Sequence, residues 1–261
     1  NRILITGGGT FLGDHIATAL LAEGADVTLL VRPGSEGRLG VLAQRVEWRT
    51  GDVWDSASLR GRGRGHRLAI HTVGSMQDDP AQGLSYNRMN FVSTRNVAAM
   101  CVGDGVPHMM LISSANAPWI NNKYLKSKRE AEQYLGRVGV KGIVIRAPVA
   151  YTRGQNRPLF FEMLSLFRRI PPFSLFLRQI APMPVDILAR GVARIALDTQ
   201  RSKTIYRASD LRRLNSRHET GGQMPLEVVP GLPQEPEAQS HPFDLLDEDT
   251  PFGWTPPQNK R

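Results

Sequence analysis

Tyr124 and Lys128 stand four residues apart in Tyr124-Leu-Lys-Ser-Lys128, a spacing that puts both on one face of a helix. A phenol titrates at about pH 10 when unperturbed, and a neighbouring ammonium favours its ionised form, so the pair is expected to have a lowered tyrosine pKa. Such a pair moves a proton to or from a hydroxyl or a carbonyl. Ser113 and Ser114 close the apolar run just upstream, where a serine hydroxyl can bond the same substrate oxygen. Tyr124 is the expected acid/base, Lys128 its electrostatic partner and Ser114 the residue that orients substrate. Taken alone, a Tyr-x-x-x-Lys also describes an ordinary solvated helix face.

A second group of residues supplies the redox partner for that proton chemistry. Ile3-Leu-Ile-Thr-Gly7-Gly8-Gly9-Thr10-Phe11-Leu12-Gly13 is a short apolar strand running into a glycine turn and then a helix. Glycines let the backbone bend sharply, bring main-chain N–H groups up to a pyrophosphate and let the next helix pack close, with the anion at its positive end. Gly7, Gly8 and Gly13 are the expected contacts. Ile16, Ala19, Leu20 and Ala22 give the helix an apolar side, Gly24 stops it, and Val27 to Val31 form a second apolar run, completing one βαβ unit. The turn therefore implies a bound dinucleotide.

Which dinucleotide is read at the end of the second strand. An acidic residue there would hold the ribose hydroxyls of NAD; the position is Arg32, whose guanidinium suits the 2′-phosphate of NADP. NADP(H) is expected over NAD(H), the alternative being that Arg32 only faces solvent.

Apolar runs near 2–6, 26–31, 46–49, 67–72, 107–113 and 141–146 alternate with helical patterns near 11–23, 83–102, 122–136, 158–169 and 186–198. This alternation predicts an α/β fold, a Rossmann-type doubly wound parallel sheet with a small C-terminal lobe and an extended tail. Residues 1–152 are the nucleotide-binding core, 153–216 a small lobe with a returning helix and strand, and 217–261 a proline-rich acidic tail. Residues 158–178 interleave Phe and Leu with Arg, which suits a substrate lobe packed on the sheet or a segment lying on a membrane surface. In the tail, Phe243, Leu245, Leu246, Phe252 and Trp254 are candidate anchors onto the chain's own body or a neighbour.

The charge is uneven. Residues 217–261 carry 3 Lys+Arg against 8 Asp+Glu, net −5, leaving +14 on residues 1–216 of the chain's total of +9. A basic body suggests an anionic partner surface, or a tail lying back on it. Arg60-Gly-Arg-Gly-Arg-Gly-His-Arg67 concentrates that charge; it suits a solvated loop first, and phosphates of RNA or lipid headgroups second. Cys101 is the single cysteine, which excludes an internal disulfide and a cysteine metal cluster. His66, His71 and His108 have no ligand spacing, and no metal site is expected. Neither a transmembrane helix nor a secretory leader is expected, although the chain opens on Asn1 and targeting information upstream is left open.

Taken together these motifs resemble the short-chain dehydrogenase/reductase superfamily over about residues 1–208. The likeness rests on Thr6 to Gly13, on Gly51-Asp52-Val53 for the adenine side and on Ile70-His71-Thr72-Val73-Gly74 at the fourth-strand tip. It continues through Asn90 to Asn96, Ser113/Ser114, Tyr124 with Lys128, Arg146-Ala147-Pro148 near the nicotinamide, and Pro184-Val185-Asp186. The resemblance implies cofactor contacts at Gly7, Gly8, Thr10, Phe11, Leu12, Gly13, Arg32, Asp52, Val53, Val73, Lys128 and Pro148. Thr10 departs from the usual middle glycine, and the loop from Ser114 to Tyr124 is short for a sugar-nucleotide epimerase. Both features, and Lys123 to Glu132, are similar to the atypical branch that includes the nucleotide-binding accessory subunit of respiratory complex I and related ubiquinone-biosynthesis proteins.

That branch implies a nicotinamide cofactor and association with membrane complexes, often without demonstrated turnover. The expected function is accordingly an NADP(H)-binding, cofactor-holding peripheral subunit of a membrane electron-transfer assembly, on the cytoplasmic or organelle-matrix side. The alternatives are an active NADP(H)-dependent oxidoreductase or epimerase using Tyr124 and Lys128, and, last, an RNA-binding member of the branch.

Overall fold

The structure, a computed structural model, describes residues 2–79, 84–152 and 180–219. Its main sheet has seven strands: β1 (Arg2–Gly8), β2 (Asp26–Val31), β3 (Glu47–Thr50), β4 (Leu68–His71), β5 (His108–Ser114), β6 (Lys141–Ala147) and β9 (Ile205–Arg207). They are ordered β3-β2-β1-β4-β5-β6-β9, and every pairing is parallel. A second, two-stranded parallel pair joins β7 (Ala150–Tyr151) to β8 (Met183–Pro184).

Strand residues alternate between two cores. Ile3 and Ile5 of β1 pack with α1 (Phe11–Ala22), α4 (Val185–Leu197) and α5 (Ala208–Glu219) on one face. Leu4, one residue out of phase, joins Met109 and Leu111 of β5 against α2 (Ser93–Asp104) and α3 (Asn122–Leu135) on the other. Burial on both faces is why these strands read as continuous apolar runs. The strand order reverses between β1 and β4, the switch point where doubly wound sheets of the Rossmann type open a crevice at the carboxyl ends of their strands.

Element boundaries fall within a few residues of the expected ones, with three local differences. In α1 the buried side consists of Ile16, Ala17, Ala19 and Leu20, while Ala22, expected on that side, is exposed in the last turn. The long helix expected near 83–102 contains a π-helical turn, Asn87–Val92, before α2 begins. Backbone helix also continues to Glu219, three residues into the segment read as tail, with Leu211 packed against Gly191 of α4. The expected helix at 158–169, residues 153–179 of the lobe and residues 220–261 of the tail lie outside the described residues.

The Gly-Arg run is built into the body. Gly61 and Gly63 donate their N–H groups to the two carboxylate oxygens of Asp104, at 3.0 and 2.8 Å. A Cβ on Gly63 would meet Val106 at 2.9 Å, so this backbone fits only as glycine. No helix among the described residues is long and apolar enough to cross a membrane.

Candidate functional site

The turn after β1 is shaped by what its glycines lack. Gly7 and Gly9 have φ of +85° and +78°, a region costly for side chains. A Cβ on Gly8 would press Leu29 and Val31, each at 2.9 Å, and one on Gly13 would stand 2.2 Å from the Gly7 carbonyl oxygen. Thr10, at the place of the usual middle glycine, caps the helix instead. Its hydroxyl donates to Gly7 O at 2.6 Å and accepts from Gly13 N at 3.3 Å. The result is a backbone cradle at the positive end of α1, which fits a pyrophosphate.

A groove of about 370 Å³, open solvent included, runs from this cradle across the end of β2. Gly7, Gly8, Thr10, Arg32, Val53 and Val73, all expected cofactor contacts, line it. Ser35 and Trp54 line it too, and the sequence reading did not single them out. Phe11, Leu12, Gly13, Asp52, Lys128 and Pro148 stand outside its wall. Phe11 stacks on His15 with ring centroids 4.8 Å apart, and the Asp52 carboxylate is turned to its own loop, accepting from Trp54 N at 2.9 Å.

Asp14 was also missed by sequence reasoning. Its Oδ1 accepts from Gly9 N at 2.8 Å, directly beneath the cradle. Burial pushes its carboxyl up to about 7, against the opposing pull of the Gly9 amide and the Arg38 guanidinium. An acid in the first turn of a helix that is otherwise an anion site was the available signal.

The second constellation lies at the tip of β5. Ser114 lies close enough to the Tyr124 phenol to pull its pKa down, and its hydroxyl donates to Ala115 O at 3.1 Å. Lys128 is buried one turn along α3, its Nζ 5.9 Å from the centre of the Tyr124 ring and donating to Ile112 O at 3.3 Å. Gly74 makes room for it: a Cβ there would stand 2.4 Å from that Nζ. The expected drop in the tyrosine pKa is not what this geometry produces. Burial pushes the Tyr124 phenol up to about 12, outweighing the opposing pull of Ser114 and Arg129. Lys128 is itself pushed down to about 8 by burial, against the pull of Glu132. The buried lysine is thus poised near neutrality, and the tyrosine is held as a proton donor.

Ser113 points away from this pair. Its hydroxyl donates to Glu132 Oε1 at 2.6 Å, in a network where Arg129 and Arg146 both pair with the same carboxylate. Arg146 reaches Glu132 Oε2 at 2.7 Å, and Arg129 also donates to Ser114 O at 2.8 Å. The network ties α3, β5 and β6 together behind Tyr124. Arg146, quoted as near the nicotinamide, belongs to it.

Asn90 fixes the loop after β4 from both sides, donating to Ser75 O and Tyr86 O and accepting from Ser75 N, all at 3.0 Å. The π turn presents it there, a distortion frequent at functional sites. His71 is fully buried between Thr6 Oγ1 at 2.8 Å and Ser93 Oγ at 3.2 Å. Because Ser93 gives its proton to Met89 O, the His71 Nε2 is the donor to Ser93, and Nδ1 accepts from Thr6. Burial, with Lys128 adding to it, pushes this imidazole down to about 3 and keeps it neutral.

Comparison with known proteins agrees with this geometry. The family described as NAD(P)H-binding matches residues 7–159. The ceramide reductase of Caulobacter vibrioides is 28% identical over 167 residues, covering 64% of this chain and 50% of that protein. The UDP-glucose 4-epimerase of Azospirillum brasilense is 25% identical over 208 residues, covering 67% of this chain and 60% of the other. The chain thus spans about half the length of the curated relatives it matches. Among solved structures, the Bordetella bronchiseptica enzyme WbmH in complex with NAD+ superposes with a TM-score of 0.56 at 19% identity, over 84% of this chain and 80% of that one. With a family match across more than half its length, resting on the same glycine cradle, this chain belongs to the NAD(P)H-binding family.

Proposed function

We propose that the protein is an NADP(H)-dependent oxidoreductase that interconverts an alcohol and a carbonyl. The observation that supports it is the burial of Tyr124, Ser114 and Lys128 together, with the Lys128 Nζ 5.9 Å from the Tyr124 ring centre. The main-chain cradle from Gly7 to Gly13 would hold the pyrophosphate, and Arg32 the adenosine end. When bound, the nicotinamide supplies or accepts a hydride. In the reducing direction Tyr124 donates its hydroxyl proton to the carbonyl oxygen, Ser114 orients that oxygen, and Lys128 offsets the charge left on the phenol. In the oxidising direction the same proton returns to Tyr124.

The surroundings of Tyr124 favour an apolar substrate over a sugar nucleotide. Ala117, Ile120, Leu125 and Ile180 are buried around it, with Met76, Tyr86 and Trp119 packed against them. The Caulobacter relative is by name a ceramide reductase, which fits that environment. Turnover of NADPH with long-chain and with small carbonyl compounds tests the proposal. Activity that Tyr124→Phe lowers by at least about 100-fold, with NADPH affinity unchanged, supports it; equal turnover by the variant refutes it.

A docked, cofactor-holding subunit of a membrane electron-transfer assembly is the second reading. The basic body and the Phe/Leu/Arg composition of residues 158–178 support it. Gentle purification distinguishes the two, because stable recovery with membrane subunits that Tyr124→Phe leaves intact favours docking.

A further inference from the structure

The adenosine end of the groove holds more positive charge than the sequence motif accounts for. Arg32, at the end of β2, lies over the indole of Trp54 with its guanidinium carbon 5.9 Å from the ring centre. The Trp54 indole N–H donates in turn to the backbone carbonyl of Arg88 at 3.1 Å. Arg88 belongs to the π-helical turn Asn87–Val92, on the opposite side of the switch point from β2. Arg32 feels both the Asp52 carboxylate and the Arg88 cation. Arg32 and Trp54 line a groove whose other end is the pyrophosphate cradle, the exposed Arg88 cation lies within electrostatic reach of Arg32, and the Trp54 ring links the elements that carry the two arginines. Like charges converge in this way at sites that receive an anion, and a phosphate takes bidentate hydrogen bonds from guanidinium forks.

We propose that Arg88 and Trp54 complete, with Arg32, a clamp for the 2′-phosphate of NADP(H), Arg88 as a second phosphate contact and Trp54 as the positioning residue. This rests on the cofactor preference inferred from Arg32. Trp54 holds the Arg32 fork by its ring face and the Arg88 backbone by its N–H, so one side chain sets both cations. The π turn matters because it leaves Arg88 exposed while Met89 and Asn90, its neighbours in sequence, are buried.

The test is calorimetric titration of the full chain with NADPH, NADH, 2′-AMP and 5′-AMP. Wild type is expected to prefer NADPH over NADH and 2′-AMP over 5′-AMP. Arg88→Ala is expected to weaken NADPH and 2′-AMP by about tenfold and leave NADH and 5′-AMP within about twofold. Trp54→Leu is expected to compress the NADPH/NADH ratio in the same direction; a merely structural role would weaken both cofactors together. Wild type that binds NADH as tightly as NADPH overturns both the Arg32 reading and the clamp. A preference lost in Arg32→Ala but kept in Arg88→Ala overturns the clamp alone. Arg88 lies on the surface, so its variant keeps the question answerable if Trp54→Leu does not fold.

Discussion

Gly13 of α1 stands so close under Gly7 of β1 that a Cβ on it would lie 2.2 Å from the Gly7 carbonyl oxygen. The obstacle is backbone, so no rotamer relieves it, and α1 must withdraw from the cradle. Gly13→Ala is expected to cost about 1–3 kcal/mol in urea unfolding and to lower NADPH affinity by about tenfold or more in calorimetric titration. Gly37→Ala, where a Cβ meets nothing within 4 Å, is the control expected to leave both near wild type.

Asp14 makes the cradle sensitive to pH. Its folded pKa of about 7 lies above the ordinary carboxylate value of 3.8, so between those values the folded state keeps a proton that the unfolded state has lost. Stability therefore falls as pH rises from about 4 to about 7 and stays at its lower level above that. Asp14→Asn keeps an acceptor for Gly9 N and removes the charge. Melting curves are expected to show it several degrees more stable than wild type at pH 8 and equal at pH 4. NADPH binding by the variant at pH 8 is expected to be tighter, because a carboxylate no longer shares the cradle with a diphosphate.

His71 acts in the opposite sense. Its folded pKa of about 3 lies below the ordinary 6.5, so on acidification the unfolded state takes up the proton first. The stability it contributes is fully present above about pH 6.5 and is lost progressively as pH falls towards 3. Between pH 7 and pH 5 its share of the loss is about 2 kcal/mol, opposed by the Asp14 gain over the same range, so it is read by urea unfolding in the Asp14→Asn background. His71→Leu is expected to flatten that slope, at the expense of the hydrogen bonds to Thr6 and Ser93.

Glu132 is expected to be the most damaging single charge to remove behind the Tyr124 pair. Its side chain is 8% exposed and neutralises two guanidiniums that are 26–27% exposed. Glu132→Gln takes from Arg129 and Arg146 the carboxylate they share and is expected to cost about 2–3 kcal/mol in urea unfolding. Arg129 also holds Ser114 O, so kcat is expected to fall with KM for NADPH unchanged, a split that steady-state kinetics reads directly.

Much of this was legible in the residues themselves. The turn from Gly7 to Gly13 could be read because its constraint is local, a matter of backbone conformation and absent Cβ atoms within seven residues. The strands could be read because both faces of the parallel sheet are buried, and Tyr124 with Lys128 because helical spacing fixes their common face. What stayed hidden depends on tertiary neighbours. Nothing near Trp54 in sequence announces that its N–H meets Arg88, or that Glu132 answers Arg146 across 14 residues. The direction of the Tyr124 shift was misjudged for the same reason: the sequence shows the ammonium but not the burial, and burial wins. Thr10 departs from the glycine pattern, yet as the helix cap it does work a glycine cannot.

The short pairing of β7 with β8 has a wider bearing. Ala150 and Tyr151 are laced to Met183 and Pro184, and Met183 N donates to Val149 O at 2.9 Å. The two laces fix where the connection from Tyr151 to Met183 leaves and returns, and Ile180, at its end, is buried in the Tyr124 cluster. Lengthening that connection costs little closure entropy, about 0.6 kcal/mol per doubling, and disturbs no ladder of the seven-stranded sheet. Changes of length between the two laces therefore leave the strand ends of the seven-stranded sheet where they are.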